Sequence, residues 1–246
     1  MNIALHKLLL LTTILVYIST SFTALEASGS DNSGSPDPSR LTLRGHKGWV
    51  TDVKFSSDGK HILTGGEDDT VKLWDSRTGK LLRTLRGHGK GITSVAFNPS
   101  NKRILAGTWN GTLRIWNASN GKLLTTLTGH KESITSVAFS PDGKRIASGS
   151  ADDSLKAWKL ATGKVLFTLE PALDYDVTSV AFSPDGKWIV SGDGENYGVI
   201  WDARNGEEIV TLEGHTAVVT SVAFSPDGKH VVSGSTDDTV RVWDSK

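Results

Sequence analysis

The sequence contains no cysteine, and that absence removes a good deal of chemistry at once. Without thiols there is no disulfide, no thiolate nucleophile, no cysteine zinc site and no cysteine-linked lipid anchor. An excess of either charge is lacking too, since 27 basic residues balance 27 acidic ones. A neutral chain projects no general field to draw in nucleic acid or an anionic membrane, so nucleic acid is not an expected partner. Phosphate-cradling loops are missing: Gly65-Gly66 is not followed by Gly-Lys-Ser/Thr. The acidic pairs Asp68-Asp69, Asp152-Asp153 and Asp237-Asp238 lack the ligand spacing of a calcium loop. No metal, no cofactor and no catalytic residue is therefore expected.

Long apolar runs are confined to the N-terminus. His6-Lys7 precede an uncharged stretch, Leu8 to Leu25, whose apolar heart ends at Ile18, before Ser19-Thr20-Ser21. A short basic lead and an apolar run shorter than the roughly 20 residues of a membrane span read as a secretory signal peptide over residues 1–26. This predicts a secreted or extracytoplasmic protein. Neither candidate cleavage site, after Ala24 or Ala27, has a small residue three positions back (Phe22 and Leu25). An uncleaved membrane anchor, the only membrane contact expected, and a cytosolic chain thus remain alternatives. Residues 27–39, rich in Ser, Gly, Asp and Pro, read as a flexible linker.

What is present is repetition. Tryptophans at Trp74, Trp116, Trp158, Trp201 and Trp243 are spaced by 42, 42, 43 and 42 residues. Gly-His pairs at 45–46, 87–88, 129–130 and 214–215 keep the same period, and the fourth unit reads Glu170-Pro171-Ala172-Leu173-Asp174-Tyr175 instead. Within a unit, alternation in Ile134–Phe139 marks a strand. Ser140-Pro141-Asp142-Gly143 marks a turn, with proline presetting φ and glycine closing without steric cost. Further strands follow over 145–148, 154–158 and 164–169. Five units of four strands result, over about 40–84, 85–126, 127–169, 170–211 and 212–246, in an all-β domain spanning 40–246.

Gly-His, Ser-Pro-Asp-Gly, Ser-Gly-Ser-x-Asp-Asp and Trp-Asp, in this order and period, resemble the WD40-repeat family over nearly the whole chain beyond the linker. The resemblance implies a β-propeller. It also implies that His, Ser/Thr, Asp and Trp of each unit form a structural tetrad rather than a Ser-His-Asp active site. The full sets are His46/Thr64/Asp68/Trp74, His130/Ser148/Asp152/Trp158 and His215/Ser233/Asp237/Trp243. The second unit keeps His88 and Trp116 but has Ala106 and Asn110, and the fourth keeps Ser191 and Trp201 with Glu195 and no histidine. A device present in three units and degraded in two reads as redundant scaffolding, whereas an active site would occur once.

The segment Arg40-Leu41-Thr42-Leu43 stands before the first Gly-His as Leu82–Leu85 stands before the second. It is a fourth strand without a unit of its own, while the fifth unit stops after its third strand. Pairing the two predicts a closed five-bladed ring of four-stranded antiparallel blades, which would cover an exposed edge. Closure between chains, as a homo-oligomer, and an open arc remain alternatives to a closed monomer.

By resemblance, the loops after Gly-His and the turns before the tetrad Asp gather on one rim where partners dock. Lys47, Trp49, Trp109, Lys131, Glu132, Tyr175, Asp193 and Thr216 are the candidate contacts. Trp49 and Trp109 stand outside the periodic tryptophans, and exposed aromatics are typical interface anchors. Trp188 begins a second strand on the opposite rim and reads as packing. The reading is a non-catalytic scaffold for a protein or peptide partner. A carbohydrate-binding five-bladed propeller is the alternative, and would repeat its aromatic pocket in every blade.

Overall fold

The computed structural model describes residues 40–87, 89–169 and 175–246. The expected leader, the linker, His88 and the insert at 170–174 lie outside the described residues. Arg44–Lys246 forms one compact unit. Its described residues form nineteen strands, all antiparallel to their neighbours. Blade 1 consists of β1 (Val50–Phe55), β2 (His61–Gly66), β3 (Val71–Asp75) and β4 (Leu81–Leu85). Blade 2 follows as β5 (Ile92–Phe97), β6 (Arg103–Thr108), β7 (Leu113–Asn117) and β8 (Leu123–Leu127). Blade 3 comprises β9 (Ile134–Phe139), β10 (Arg145–Ser150), β11 (Leu155–Lys159) and β12 (Lys164–Leu169). Blade 4 comprises β13 (Val177–Phe182), β14 (Trp188–Asp193), β15 (Gly198–Asp202) and β16 (Glu208–Leu212). Blade 5 holds β17 (Val219–Phe224), β18 (His230–Ser235) and β19 (Val240–Asp244).

Hairpin chemistry sets the register. In the first turn of blade 3, Asp142 accepts hydrogen bonds from the Ser140 hydroxyl (2.6 Å) and the Lys144 amide (3.0 Å). Gly143 closes it at φ 66°, a left-handed conformation that costs glycine nothing. Further along, Asp69, Asp153 and Asp238 also adopt positive φ (58°, 64° and 65°). The second Asp of each acidic pair is thus a turn residue, a role that Asp tolerates.

Packing between consecutive blades is one joint used four times. Second strands are buried on both faces, so each blade needs a neighbour. A glycine in the second strand lets the next blade's first strand approach: Gly65 meets Ile92, Gly107 meets Ile134, Gly149 meets Val177 and Gly192 meets Val219. A Cβ there would come within 2.6, 2.3, 2.6 and 2.7 Å of those side chains, so nothing larger fits. Alongside, the Val137, Val180 and Val222 amides donate to Ser94, Ser136 and Ser179 hydroxyls at 3.3, 3.1 and 3.2 Å. Asp52 plays that part for Val95 at 2.8 Å. The Thr51 hydroxyl donates to the Ile92 carbonyl at 2.7 Å, and Thr135 and Thr178 make the equivalent bonds to Val177 and Val219.

Two expectations about the last blade are corrected. Its sheet has three strands among the described residues, β17-β18-β19, and residues 41–46 form no strand. The fourth strand expected from Arg40–Leu43 is therefore not formed. Nor is ring closure shown: Val53 and Phe55 on β1, and Val240 and Val242 on β19, are exposed. The two corrections share one physical reason. Leu43 is only six residues from β1, so a strand at 41–43 could add to β19 only if blade 1 itself lay against blade 5.

The joint yields a direct prediction. Gly149→Ala should drive Val177 and its strand aside and destabilise the protein by about 1–3 kcal/mol. Urea unfolding measures this, and a variant as stable as the parent would refute the packing described.

Candidate functional site

The recurring polar residues come together three times, and their hydrogen bonds run in one direction. In blade 3 the Trp158 indole donates to Ser148 Oγ at 2.8 Å. Ser148 Oγ lies 2.8 Å from His130 Nε2, and His130 Nδ1 lies 3.0 Å from Asp152. Asp152 can only accept, so His130 Nδ1 donates to it, and a ring with its proton there accepts the Ser148 hydroxyl at Nε2. Blade 1 repeats the chain through Trp74, Thr64, His46 and Asp68 at 2.9, 2.7 and 2.9 Å. Blade 5 does so through Trp243, Ser233, His215 and Asp237, at 2.8 Å in each link. In blades 1 and 3 the glycine of the Gly-His pair completes the fit: a Cβ on Gly45 or Gly129 would stand 3.0 Å from the tryptophan ring.

Every atom of these chains that could do chemistry is already engaged, and the serine oxygens are buried. Burial pushes the Asp68 carboxyl up, but donors from Thr70, the Lys47 amide and His46 outweigh it and bring it down to about 2. Burial also raises Asp152, and His130, Ser154 and the Lys131 amide overcome it and hold it well below the ordinary carboxylate range. At Asp237 the Thr239 hydroxyl leads the lowering, against burial, with the Thr216 amide and His215 adding to it. Sequence reasoning missed the fifth participant: Thr70, Ser154 and Thr239 donate to the tetrad carboxylate at 2.7, 2.6 and 2.6 Å. Its signal was in plain view, as Asp-Asp-Thr/Ser in three units.

The degraded blades keep parts of the arrangement. In blade 4 Trp201 still donates to Ser191 at 2.8 Å, and Asp193 takes over the turn. It is buried and accepts the Glu195 and Tyr197 amides at 3.1 and 3.0 Å. Burial pushes the Asp193 carboxyl above the ordinary carboxylate range despite those amides. Asp193 is thus a turn residue and presents no side chain to a partner. In blade 2 Trp116 is buried beside Ala106, and Asn110 accepts the Thr112 hydroxyl at 3.0 Å.

The remaining rim candidates fall into distinct groups. Lys47, Lys131 and Thr216 have exposed side chains and use their amides to cap the tetrad carboxylates at 2.9, 2.8 and 3.0 Å. Glu132 and Tyr175 are exposed as well. Trp49 is 54% exposed. Trp109 is only half exposed and packs on Gly91, where a Cβ would meet its ring at 3.2 Å. The two tryptophans hold opposite ends of a bridge that each blade makes for itself: Glu67 N donates to Trp49 O in blade 1, and Trp109 N donates to Gly91 O in blade 2. Glu67, Asp69, Lys90 and Trp109 line a shallow depression of about 350 Å³ between blades 1 and 2. On the opposite rim Trp188 is half-buried and packs into the core between blades 4 and 5.

Five sheets of propeller-blade type, three of them pinned by a Trp–Ser/Thr–His–Asp chain, define the class of protein. The family model described as "WD domain, G-beta repeat" matches residues 38–75, 79–117, 121–159, 163–202 and 206–244, and the chain belongs to the WD40-repeat family. Members of this family are typically protein-interaction scaffolds and generally non-catalytic. A stretch of 44 residues, 18% of the chain, is 46% identical to "Nuclear distribution protein nudF 2" of Talaromyces marneffei and covers 10% of that protein. Over 44 residues the chain is also 50% identical to "Protein LST8 homolog" of Dictyostelium discoideum, covering 14% of it. The matched stretch thus spans about one repeat of each relative.

Two outcomes follow from the tetrads. Ser148→Ala should leave the buried Trp158 N–H and His130 Nε2 without partners, at about 1–3 kcal/mol for each group. Chemical denaturation should show this loss with the β signal retained, since Ala106 holds the same place in blade 2; an unchanged midpoint would contradict the chain of bonds. Asp68 is lowered from 3.8 to about 2, so its contribution is complete above about pH 4 and disappears as pH falls through 2. Melting temperature against pH should fall over that window less steeply for Asp68→Asn than for the parent, and parallel curves would argue against it.

Proposed function

We propose that this chain is a non-catalytic scaffold that docks a protein or peptide on the rim carrying Trp49. The carrying observation is that the polar residues of the repeats are spent inside the blades, whereas Trp49 stands open to solvent. The places equivalent to Trp49 in the other blades hold Gly91, Ser133, Asp176 and Val218, so the aromatic is an addition to the repeat rather than part of it. A large aromatic with few rotatable bonds gains contact area at low entropic cost, as interface anchors do. Lys47 flanks it, and Glu67 and Asp69 of the neighbouring depression supply the opposite charge, a rim suited to a polar peptide with an apolar residue to bury. The lack of a repeated aromatic pocket weighs against the carbohydrate-binding alternative. We further propose that the N-terminal segment directs the domain out of the cytoplasm, on the strength of His6-Lys7 and the apolar run to Ile18.

Trp49→Ala should abolish partner capture in a pull-down from the native source without lowering the unfolding midpoint. Trp109→Ala, by opening a gap against Gly91, should lower stability as well. Undiminished capture by the Trp49→Ala protein would overturn the assignment of this rim.

A further inference from the structure

Blades 1 and 5 each present one face that every other blade has covered. On blade 1, Val50, Val53 and Phe55 occupy the places of Ile92, Val95 and Phe97 in blade 2. Val53 is 55% and Phe55 67% exposed, whereas Val95 is fully buried. On blade 5, Val232, Val240 and Val242 stand where blade 1 has Leu63, Val71 and Leu73. Val240 is 74% and Val242 67% exposed, against 0% for Val71 and 5% for Leu73. Gly234 occupies the place of Gly65, Gly107, Gly149 and Gly192, but the nearest atom to a Cβ there is Thr220 Oγ1, at 3.9 Å. The slot that elsewhere receives an Ile or Val from the next blade is open.

The polar groups are in the same register. Thr220 is the counterpart of Thr51, Thr135 and Thr178, whose hydroxyls reach the next blade's carbonyl; it turns back to the Gly234 carbonyl at 3.2 Å. Ser221 is the counterpart of Ser94, Ser136 and Ser179, which accept the next blade's valine amide, and its side chain is exposed. These two faces are the halves of a fifth joint, matched residue for residue to the four already made.

We infer that the open face of blade 5 receives the open face of blade 1 from a second copy of this chain, so that chains add head to tail. An ordinary apolar patch would accept many partners. This one has a glycine slot, a threonine donor and a serine acceptor spaced for one particular strand, Val50–Phe55. A second copy is the fitting occupant because the strand that this face is spaced for, Val50–Phe55, is itself uncovered on blade 1. The contact is heterologous, so it propagates or closes into a ring of chains. The inference is independent of the rim-binding proposal, since neither face includes Trp49.

The absence of cysteine makes the test clean. In the first joint a Cβ on Gly65 would lie 3.2 Å from the Ile92 Cβ, close to the separation a disulfide spans. Full-length Val50→Cys and Gly234→Cys proteins, prepared separately, should form an interchain disulfide when mixed and oxidised, and neither should cross-link alone. A Val50→Cys/Gly234→Cys chain that oxidises to a cross-linked monomer in dilute solution would show self-closure and overturn the inference, as would a mixture that stays uncross-linked. Independently, light scattering of the unmodified chain should give at least twice the single-chain mass at high concentration. Val240→Lys, at a position already exposed, should restore the single-chain mass; a parent chain that stays single at every concentration would also overturn the inference.

Discussion

A sheet whose second strand is apolar on both faces cannot stand alone in water, and that constraint governs this molecule. Each blade covers one face of the blade before it and offers its own other face to the blade after it. The geometry is set by a glycine in the second strand, which admits an Ile or Val from the neighbouring first strand. Fully burying such a side chain is worth about 1.5–3 kcal/mol, and each joint buries several. The stability of such an array is a sum of blade terms and neighbour terms. Here the neighbour terms explain why glycine, Ser/Thr and valine recur at fixed places, and why the array is left with two free faces.

The tetrads act one level below. They tie the loop after Gly-His and the turn before the third strand to the buried tryptophan, which fixes the shape of a blade before it meets its neighbour. Their partial loss in blades 2 and 4 is tolerated because the joints on both sides of those blades are intact. Serine and histidine near a carboxylate invite a catalytic reading, but geometry and roles decide such a question. The serine oxygen here is buried beneath a tryptophan and accepts its N–H, so it faces no substrate. What remains for function is the surface that the repeats leave free, and that surface differs from blade to blade.

Much of this was legible in the residues. The period, the strand alternation and the turn signatures placed four of five sheets, and the order His, Ser/Thr, Asp, Trp predicted bonds that the structure forms. Trp188 was read as packing, and it packs. Three things were not legible. The Thr70, Ser154 and Thr239 donors sit beside the acidic pairs, but a four-membered tetrad pattern assigns them no part in it. Asp193 looked like a rim residue because its place in the repeat lies at the rim, yet the local turn folds its carboxylate inward. The fourth strand of the last blade was inferred from the match between residues 40–43 and Leu82–Leu85. Pattern alone reports what a segment could pair with, and the placement of the partner edge decides whether the pairing is reached.

The central claim is that the joints hold the protein together, with the tetrads secondary, and amide hydrogen exchange tests it most directly. The Val137, Val180 and Val222 amides, which donate across joints, should exchange last and together, at rates set by global unfolding. The Lys131 and Thr216 amides, which cap tetrad carboxylates, should exchange sooner. Early, blade-by-blade exchange of the three valines while the capping amides remain protected would mean that each blade holds itself, contradicting the account.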